Sequence, residues 1–240
     1  MKLFRALQAQ GFGSRKACRL RVRAGTVAVN GVFCTDPDAE VDPASLELGV
    51  DGGLWRYREH AYIVLHKPAG YECSHQATHH PSVFALLPAP LVQRGTQCVG
   101  RLDQDTTGVL LLSDDGQFIH RMTSPKKGVT KTYRARCAEP VTPAMLGALL
   151  DGVQLHDAPA PVAALACEAV DADGLKLTLA EGKYHQVKRM IAAAGNSVVA
   201  LHRESIGAWA LPTDLAPGSW RWLDAEDLER LERTWPSVKS

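Results

Sequence analysis

The 240 residues, 26.0 kDa with 45% hydrophobic and 22% charged positions, describe a globular chain long enough to bury roughly 70–75% of its unfolded surface, in one large domain or two unequal ones. No stretch free of both charges and strong turn-formers approaches the ~20 residues of a bilayer crossing, and the N-terminal MKLFRALQAQ lacks an apolar signal core, so no membrane partner is expected and the cytoplasm is the expected compartment. The net charge of +1 favours no partner by itself, and six cysteines without a CxxC pair exclude a zinc ribbon or thioredoxin motif and read as buried or incidental thiols.

In chain order, KLFRALQAQ predicts a short helix ending near Gly11–Gly13. Ser14 is placed to cap a second helix, with Ala17, Leu20 and Ala24 at helical spacing and Gly25 closing it. TVAVNGVFC alternates around Asn30-Gly31, a strong hairpin signal. Gly49–Gly53, with Asp51, predicts a linker, after which the composition changes. Beyond it AYIVLHKP reads as a strand stopped by Pro68, GVLLLS as a buried strand, and KTYRARC and LKLTLAEG as alternating ones. TPAMLGALLDG reads as a capped helix, YHQVKRMIAAAGN as a helix with Val187, Ile191 and Ala194 on one face, and AEDLERLERTW as a last amphipathic helix with acids at its start. Scattered strands among few helices, without regular alternation, predict an α+β domain on a mostly antiparallel mixed sheet flanked by helices.

Mapped along the chain, the charge is segregated. Residues 1–30 carry seven basic side chains and no acid, and residues 116–138 carry six more, again without one. Two such runs make a polyanion the leading partner class. No nucleotide-binding GxGxxG or GxxxxGK[ST] loop and no HExxH is spelled. His75, His79 and His80 beside Cys73 lie in a Pro- and Thr-rich loop and read as polar loop residues, so no metal is expected. The segment GRLDQDTTGVLLLSDDGQ, residues 100–117, sets Asp103 and Asp105 in a loop of small and hydroxyl residues before an apolar strand. Either the loop is a turn whose side chains bond their own backbone, or the strand holds a carboxylate at the rim of a cleft, as a nucleophile or general acid requires.

Residues 100–108, GRLDQDTTG, resemble the signature of the pseudouridine synthases that modify ribosomal RNA, and the chain is similar to their small-ribosomal-subunit (RsuA) branch through HKPAGYECS (66–74), residues 113–137 and residues 181–207. SRKACRLRVRAGTVAVNG resembles the S4-type RNA-binding module of that branch, with Arg21 at a position more often apolar. The resemblance implies an S4-like domain over 1–48, a linker over 49–58 and a catalytic domain over 59–240. It implies that Asp103 is the nucleophile and that Tyr133 stacks on the uracil and assists loss of the C5 proton. Lys188 then pairs with the catalytic carboxylate, with Arg189 as the neighbouring candidate, and Arg101 contacts the flipped nucleotide. RNA phosphates would meet Arg121, Lys126 and Lys127, and Arg15, Lys16, Arg19 and Arg23 of the S4-like helix. The expected reaction is isomerisation of a uridine in 16S ribosomal RNA by a monomer without a cofactor, acting on the RNA or on a ribosomal assembly intermediate. Alternatives are a synthase for 23S RNA or a non-catalytic S4-type assembly protein.

Overall fold

The computed structural model describes residues 1–233, so Thr234 and Trp235, expected in the last helix, lie outside the described residues. Two compact units divide the chain. The first holds residues 1–61 together with 87–97 and 113–115; the second holds 62–86, 98–112 and the chain from 116 onward.

In the first unit, α1 (Leu3–Ala9) and α2 (Arg15–Arg23) precede β1 (Val27–Val29), β2 (Val32–Phe33), β3 (Glu47–Val50) and β4 (Gly53–Arg56). The strands form an antiparallel sheet in the order β2-β1-β3-β4. Ser14 caps α2 by accepting from the Ala17 N–H at 3.3 Å, and Gly25 closes the helix at φ +70°. The Asn30-Gly31 hairpin is present, both residues at positive φ as a two-residue turn with native twist requires. Leu3, Leu7, Cys18, Val22, Val27, Leu46 and Leu48 fill the core.

Two expectations fail here. The buried face of α2 is Cys18 and Val22, whereas Ala17, Leu20 and Ala24 are exposed, Leu20 by 54%. The small sulfhydryl and the valine lie one above the other at i and i+4, and they are the pair turned toward the core. The stretch 49–58 is not a linker. Asp51 and Gly52, at φ +52° and +78°, turn the chain between β3 and β4, and β3 pairs with β1 in the middle of the sheet while Leu48 and Val50 point into the core. A boundary after residue 48 therefore falls inside a strand.

Residues 87–97, expected in the catalytic domain, also join the first unit, through α3 (Ala89–Gln93) and Arg94. The Arg94 side chain is 3% exposed and its Nε meets Asp114 Oδ2 at 2.6 Å. Its other nitrogens donate to Gln10 Oε1 at 3.2 Å and to the carbonyls of Arg58 and Glu59 at 3.2 and 2.9 Å. The second Asp114 oxygen takes the Ala61 N–H at 2.7 Å. Gly11 is obligatory beside α3: at φ +86°, an added Cβ would stand 2.0 Å from the Pro90 oxygen.

The second unit carries β5 (Tyr62–Lys67), β6 (Gln97–Cys98), β7 (Thr107–Ser113), β8 (Lys131–Cys137), β9 (Ala166–Ala169), β10 (Gly174–Leu179), β11 (Val198–Ile206), β12 (Trp209–Ala210) and β13 (Trp220–Trp222). Among the described residues they make one sheet in the order β13-β5-β7-β11-β8-β10-β9, with β6 on β7 and β12 on β11. The β7–β11 pair is parallel, and β11–β8, β8–β10, β10–β9 and β13–β5 are antiparallel, the mostly antiparallel mixed sheet that the strand pattern predicts. Helices α4 (Gly116–Thr123), α5 (Pro143–Asp151), α6 (Gln186–Ala193) and α7 (Ala225–Glu232) complete this α+β unit. One core cluster gathers Val64, Val109, Leu111, Phe118, Trp209 and Leu231. Trp209 is anchored at its polar end, its indole N–H donating to Asp227 at 2.6 Å, and the same Asp227 completes the capping box of α7. No helix of the described residues is long and apolar enough to cross a membrane.

Removing one partner of a buried ion pair strands the other. Arg94→Met should destabilise the protein by roughly 3 kcal/mol in denaturant unfolding; a variant unfolding at the wild-type midpoint would show that Arg94 is dispensable to the unit.

Candidate active site

The loop from Gly100 to Thr106 carries the two aspartates, and its shape is set from beneath by Lys67 at the end of β5. That side chain is fully buried, and its ammonium donates to the carbonyls of Pro68, Gln104 and Thr106 at 3.1, 3.1 and 2.8 Å. Burial pushes the ammonium below its ordinary pKa, against the opposing pull of Cys73, Asp105 and Asp103. Further bonds run from Gly70 N–H to Gln104 O at 2.8 Å, from Thr106 N–H to Asp103 O at 3.1 Å and from Leu102 N–H to Cys73 Sγ at 3.5 Å. Leu102 is buried, so the loop is nailed down on the side that faces the protein.

Asp103 is left half-buried, with each carboxylate oxygen facing a different nitrogen. Oδ1 lies 3.2 Å from His185 Nε2 and Oδ2 lies 3.2 Å from Lys188 Nζ. Lys188 projects from the first turn of α6, and it also donates to both oxygens of Asp105 at 2.7 and 2.9 Å. Asp105 therefore binds the lysine rather than serving only its own loop's backbone. Burial raises the Asp105 carboxyl, but the Lys188 hydrogen bond and charge, a loop amide and His185 outweigh it, so it titrates below the ordinary carboxylate range. Burial likewise works against the Lys188 ammonium, and the bonds to Asp105 and Asp103 overcome it and hold its pKa up.

His185 stands at φ +49° as the N-cap of α6 and stacks on Tyr184, ring centres 3.8 Å apart. This backbone conformation is uncommon for a residue with a Cβ. Here Gln186, itself buried, ties down the approach to the helix: it accepts from Lys183 N–H at 2.8 Å and donates to Glu181 at 3.1 Å. Tyr133 comes from the inward-facing row of β8 and is 8% exposed. Arg101, Asp103, Tyr133, Lys183, His185 and Lys188 thus line one cleft. A carboxylate held between an imidazole and an ammonium beside an aromatic side chain is arranged for nucleophilic or charge-stabilising work on a group that stacks on that ring.

Sequence reasoning brought Asp103, Tyr133, Lys188 and Arg101 to one place, and the fold does so too. Arg189, the other candidate for the carboxylate, turns away to bind both oxygens of Asp157 and the Tyr184 carbonyl. Arg121 pairs with Glu232 at 3.2 Å; Lys126 and Lys127 are exposed. On α2, Arg19 grips Asp38 with two bonds of 2.9 and 2.6 Å and lies over the Phe4 ring, so it is committed to the fold. Arg21 reaches Asp51 at 2.6 Å. Arg15, Lys16 and Arg23 are exposed and have no ion pair among the described residues. Lys67 and His185 were missed, although both lie inside segments singled out for other residues. Glu72 accounts for the histidine loop: its carboxylate accepts the N–H groups of Thr78, His79 and His80 at 2.9–3.2 Å. Among the described residues no three His, Cys, Asp or Glu side chains come together as metal ligands.

Comparison with known proteins defines the class. Residues 61–193 match the family model described as RNA pseudouridylate synthase, and the chain belongs to that family. It is 37% identical over 229 residues to the ribosomal small subunit pseudouridine synthase A of Yersinia pestis, covering 95% of this chain and 97% of the relative. The protein of the same description from Escherichia coli K12 is 38% identical over 229 residues, covering 95% and 98%. A solved structure, described as a crystal structure of pseudouridylate synthase, superposes with a TM-score of 0.68 at 34% identity and covers 96% of this chain and 99% of that one.

The lowered Asp105 carboxyl sets a pH dependence. A group whose pKa is depressed by folding adds stability above its unfolded value, about 3.9 for Asp, and that stability is lost as pH falls through the folded value. Wild type should therefore lose more stability than Lys188→Met as the pH is lowered from about 7 to about 3, read as melting temperature against pH. Parallel curves for the two proteins would show that the pair adds nothing to stability.

Proposed function

We propose that this enzyme converts a uridine of small-subunit ribosomal RNA to pseudouridine with Asp103 as the nucleophile. The observation that carries the reading is the Asp103 carboxylate, presented at the cleft between His185 and Lys188 at 3.2 Å each, with the Tyr133 ring in the same wall. The small-subunit target is suggested by the printed descriptions of the relatives that align over nearly the whole chain.

A uridine in folded RNA must leave its stack to reach a cleft, at a cost of a few kcal/mol, and an aromatic wall returns about 1–3 kcal/mol per stacked base. With the base against Tyr133, the Asp103 carboxylate adds to the nucleotide and the N1–C1′ bond breaks. The uracil turns, C5 bonds to C1′ as the Asp103 carboxylate is released, the C5 proton leaves and N1 gains one. Atoms and electrons balance within the nucleotide, so the isomerisation calls for no external group or electron acceptor. Lys188 and His185 orient the carboxylate, while Asp105 shares the lysine and fixes its position. Arg101, exposed at the cleft and without an ion pair among the described residues, takes a phosphate in this reading. The first unit, with its helix–helix–hairpin order, serves as an S4-like second RNA contact through Arg15, Lys16 and Arg23.

Asp103→Asn should melt normally and form no pseudouridine, because the amide is a poor nucleophile. Asp105→Asn should retain turnover within about tenfold, a barrier change of about 1.4 kcal/mol. The readout is pseudouridine counted in ribosomal RNA, and substantial turnover by Asp103→Asn would overturn the mechanism. Tyr133→Phe should bind RNA normally and turn over more slowly; full activity in this variant would make Tyr133 a packing residue. Replacing Arg15, Lys16 and Arg23 together by Gln should flatten the fall of log K with log salt by roughly 0.7–0.9 per lost phosphate contact. An unchanged slope would remove α2 from the RNA interface.

A further inference from the structure

Arg203 lies in β11 and is 3% exposed. It stands opposite Tyr133 of β8 in the antiparallel register and opposite Gly108 of β7 in the parallel one. Gly108 makes that approach possible: at φ +106°, an added Cβ would sit 2.2 Å from the Arg203 carbonyl oxygen. The strand leaving the Asp103 loop is thus laid directly on the Arg203 backbone, next to an irregularity in the β11–β8 ladder between Arg203 and Ser205.

The guanidinium is unusual in what surrounds it. Its Nε donates to Val109 O at 2.8 Å and its Nη1 to the Tyr133 hydroxyl oxygen at 3.5 Å, while Nη2 is buried with no hydrogen-bond partner. No carboxylate lies within ion-pair distance among the described residues. Its central carbon is 6.0 Å from the centre of the Tyr133 ring. Buried charges are normally paired, because desolvating them is costly. Burial, reinforced by the Arg203 charge, lowers the pKa of Lys67 and brings that of Lys131 down to about 8. Arginine is the most basic of the side chains and keeps its proton at any working pH. A permanent positive charge with an idle donor is therefore maintained behind the tyrosine that lines the cleft.

We propose that Arg203 is a positioning residue for the isomerisation, acting through the Tyr133 hydroxyl. By donating to the phenol oxygen it occupies one lone pair and turns the hydroxyl's own proton away from the guanidinium. The step served is the last one, in which the C5–H bond breaks, its electron pair closes the C5=C6 double bond and the C6=N1 pair moves to N1, which takes a proton. A hydroxyl in fixed orientation takes the C5 proton on its free lone pair as it gives its own proton to solvent, from which N1 takes one, and the charge behind the oxygen favours the moment when its own proton has left. This inference rests on the proposed role of Tyr133 as base platform and proton handler.

The test is a double-mutant cycle on transcribed small-subunit ribosomal RNA, with single-turnover rates, RNA affinity and thermal melts for Arg203→Met, Arg203→Lys, Tyr133→Phe and each double variant. Arg203→Met should slow turnover by about tenfold or more while RNA affinity stays within about threefold, and Arg203→Lys should recover part of the rate. In the Tyr133→Phe background the same Arg203 changes should cost less than about twofold, because the atom through which the guanidinium acts is gone. If both single variants are slow and their effects multiply in full, Arg203 acts elsewhere and the inference falls while the Tyr133 role stands. If Tyr133→Phe is fully active, the Tyr133 role falls first and takes the inference with it. Should Arg203→Met fail to fold, the Arg203→Lys cycle decides between the same outcomes.

Discussion

The geometry of the loop from Gly100 to Thr106 depends on one ammonium group. Lys67 has three N–H bonds, and all three end on carbonyl oxygens of Pro68, Gln104 and Thr106, in a place no water-facing lysine would occupy. A satisfied, buried donor of this kind has nothing left to offer a substrate, and its effect is to make the loop's backbone part of the core. The aspartate side chains then differ because the loop is fixed: Asp103 is turned into the cleft, and Asp105, 56% exposed, is turned to the outer side of Lys188. The loop can be preorganised in this way because the lysine beneath it and the helix above it belong to the same unit.

Elements whose outcome is decided by neighbouring residues were legible in the sequence. Ser14, Asn30-Gly31, Pro68 and Thr142 each act within a few positions, through a cap, a turn or a chain stop, and each does in the fold what its chemistry implies. The errors arose where two local readings were equally good and a distant partner chose between them. Asp51-Gly52 reads locally as a linker; the pairing of β4 back onto β3, itself paired with β1 some twenty residues upstream, makes it a hairpin turn. On α2 the row through Ala17, Leu20 and Ala24 and the row through Cys18 and Val22 have the same helical spacing, and packing within the core selects the second.

The candidate site divides along the same line. Asp103, Tyr133 and Lys188 could be named because long motifs carry them, yet the motifs do not say that Lys188 is shared with Asp105 or that His185 faces the second oxygen of Asp103. His185 reaches Asp103 from a left-handed backbone position, which spelling alone does not reveal. Charge was legible in amount and misleading in distribution. The acid-free run at the N-terminus is met in space by acids from farther along, Asp38 on Lys2 and Arg19 and Asp51 on Arg21, and in the second run Arg134 and Arg136 reach Glu204 and Asp173. The cations left over, Arg15, Lys16, Arg23, Lys126 and Lys127 among them, are fewer than linear counting implies, and they are the ones to consider for phosphate.

The division of the chain has a consequence for the protein's history and handling. Because residues 87–97 and 113–115 fold with the N-terminal residues, the backbone passes from one unit to the other five times, after positions 61, 86, 97, 112 and 115. An appended domain joined by a single tether can be gained, lost or clipped off by one event; an interleaved one cannot. Neither a single protease cut nor a single gene truncation would release the first unit whole, so an N-terminal deletion removes part of a shared object rather than an accessory. Such a chain has to change as one piece, and descendants that dispense with the first unit must also rebuild the stretch around Arg94 and Asp114.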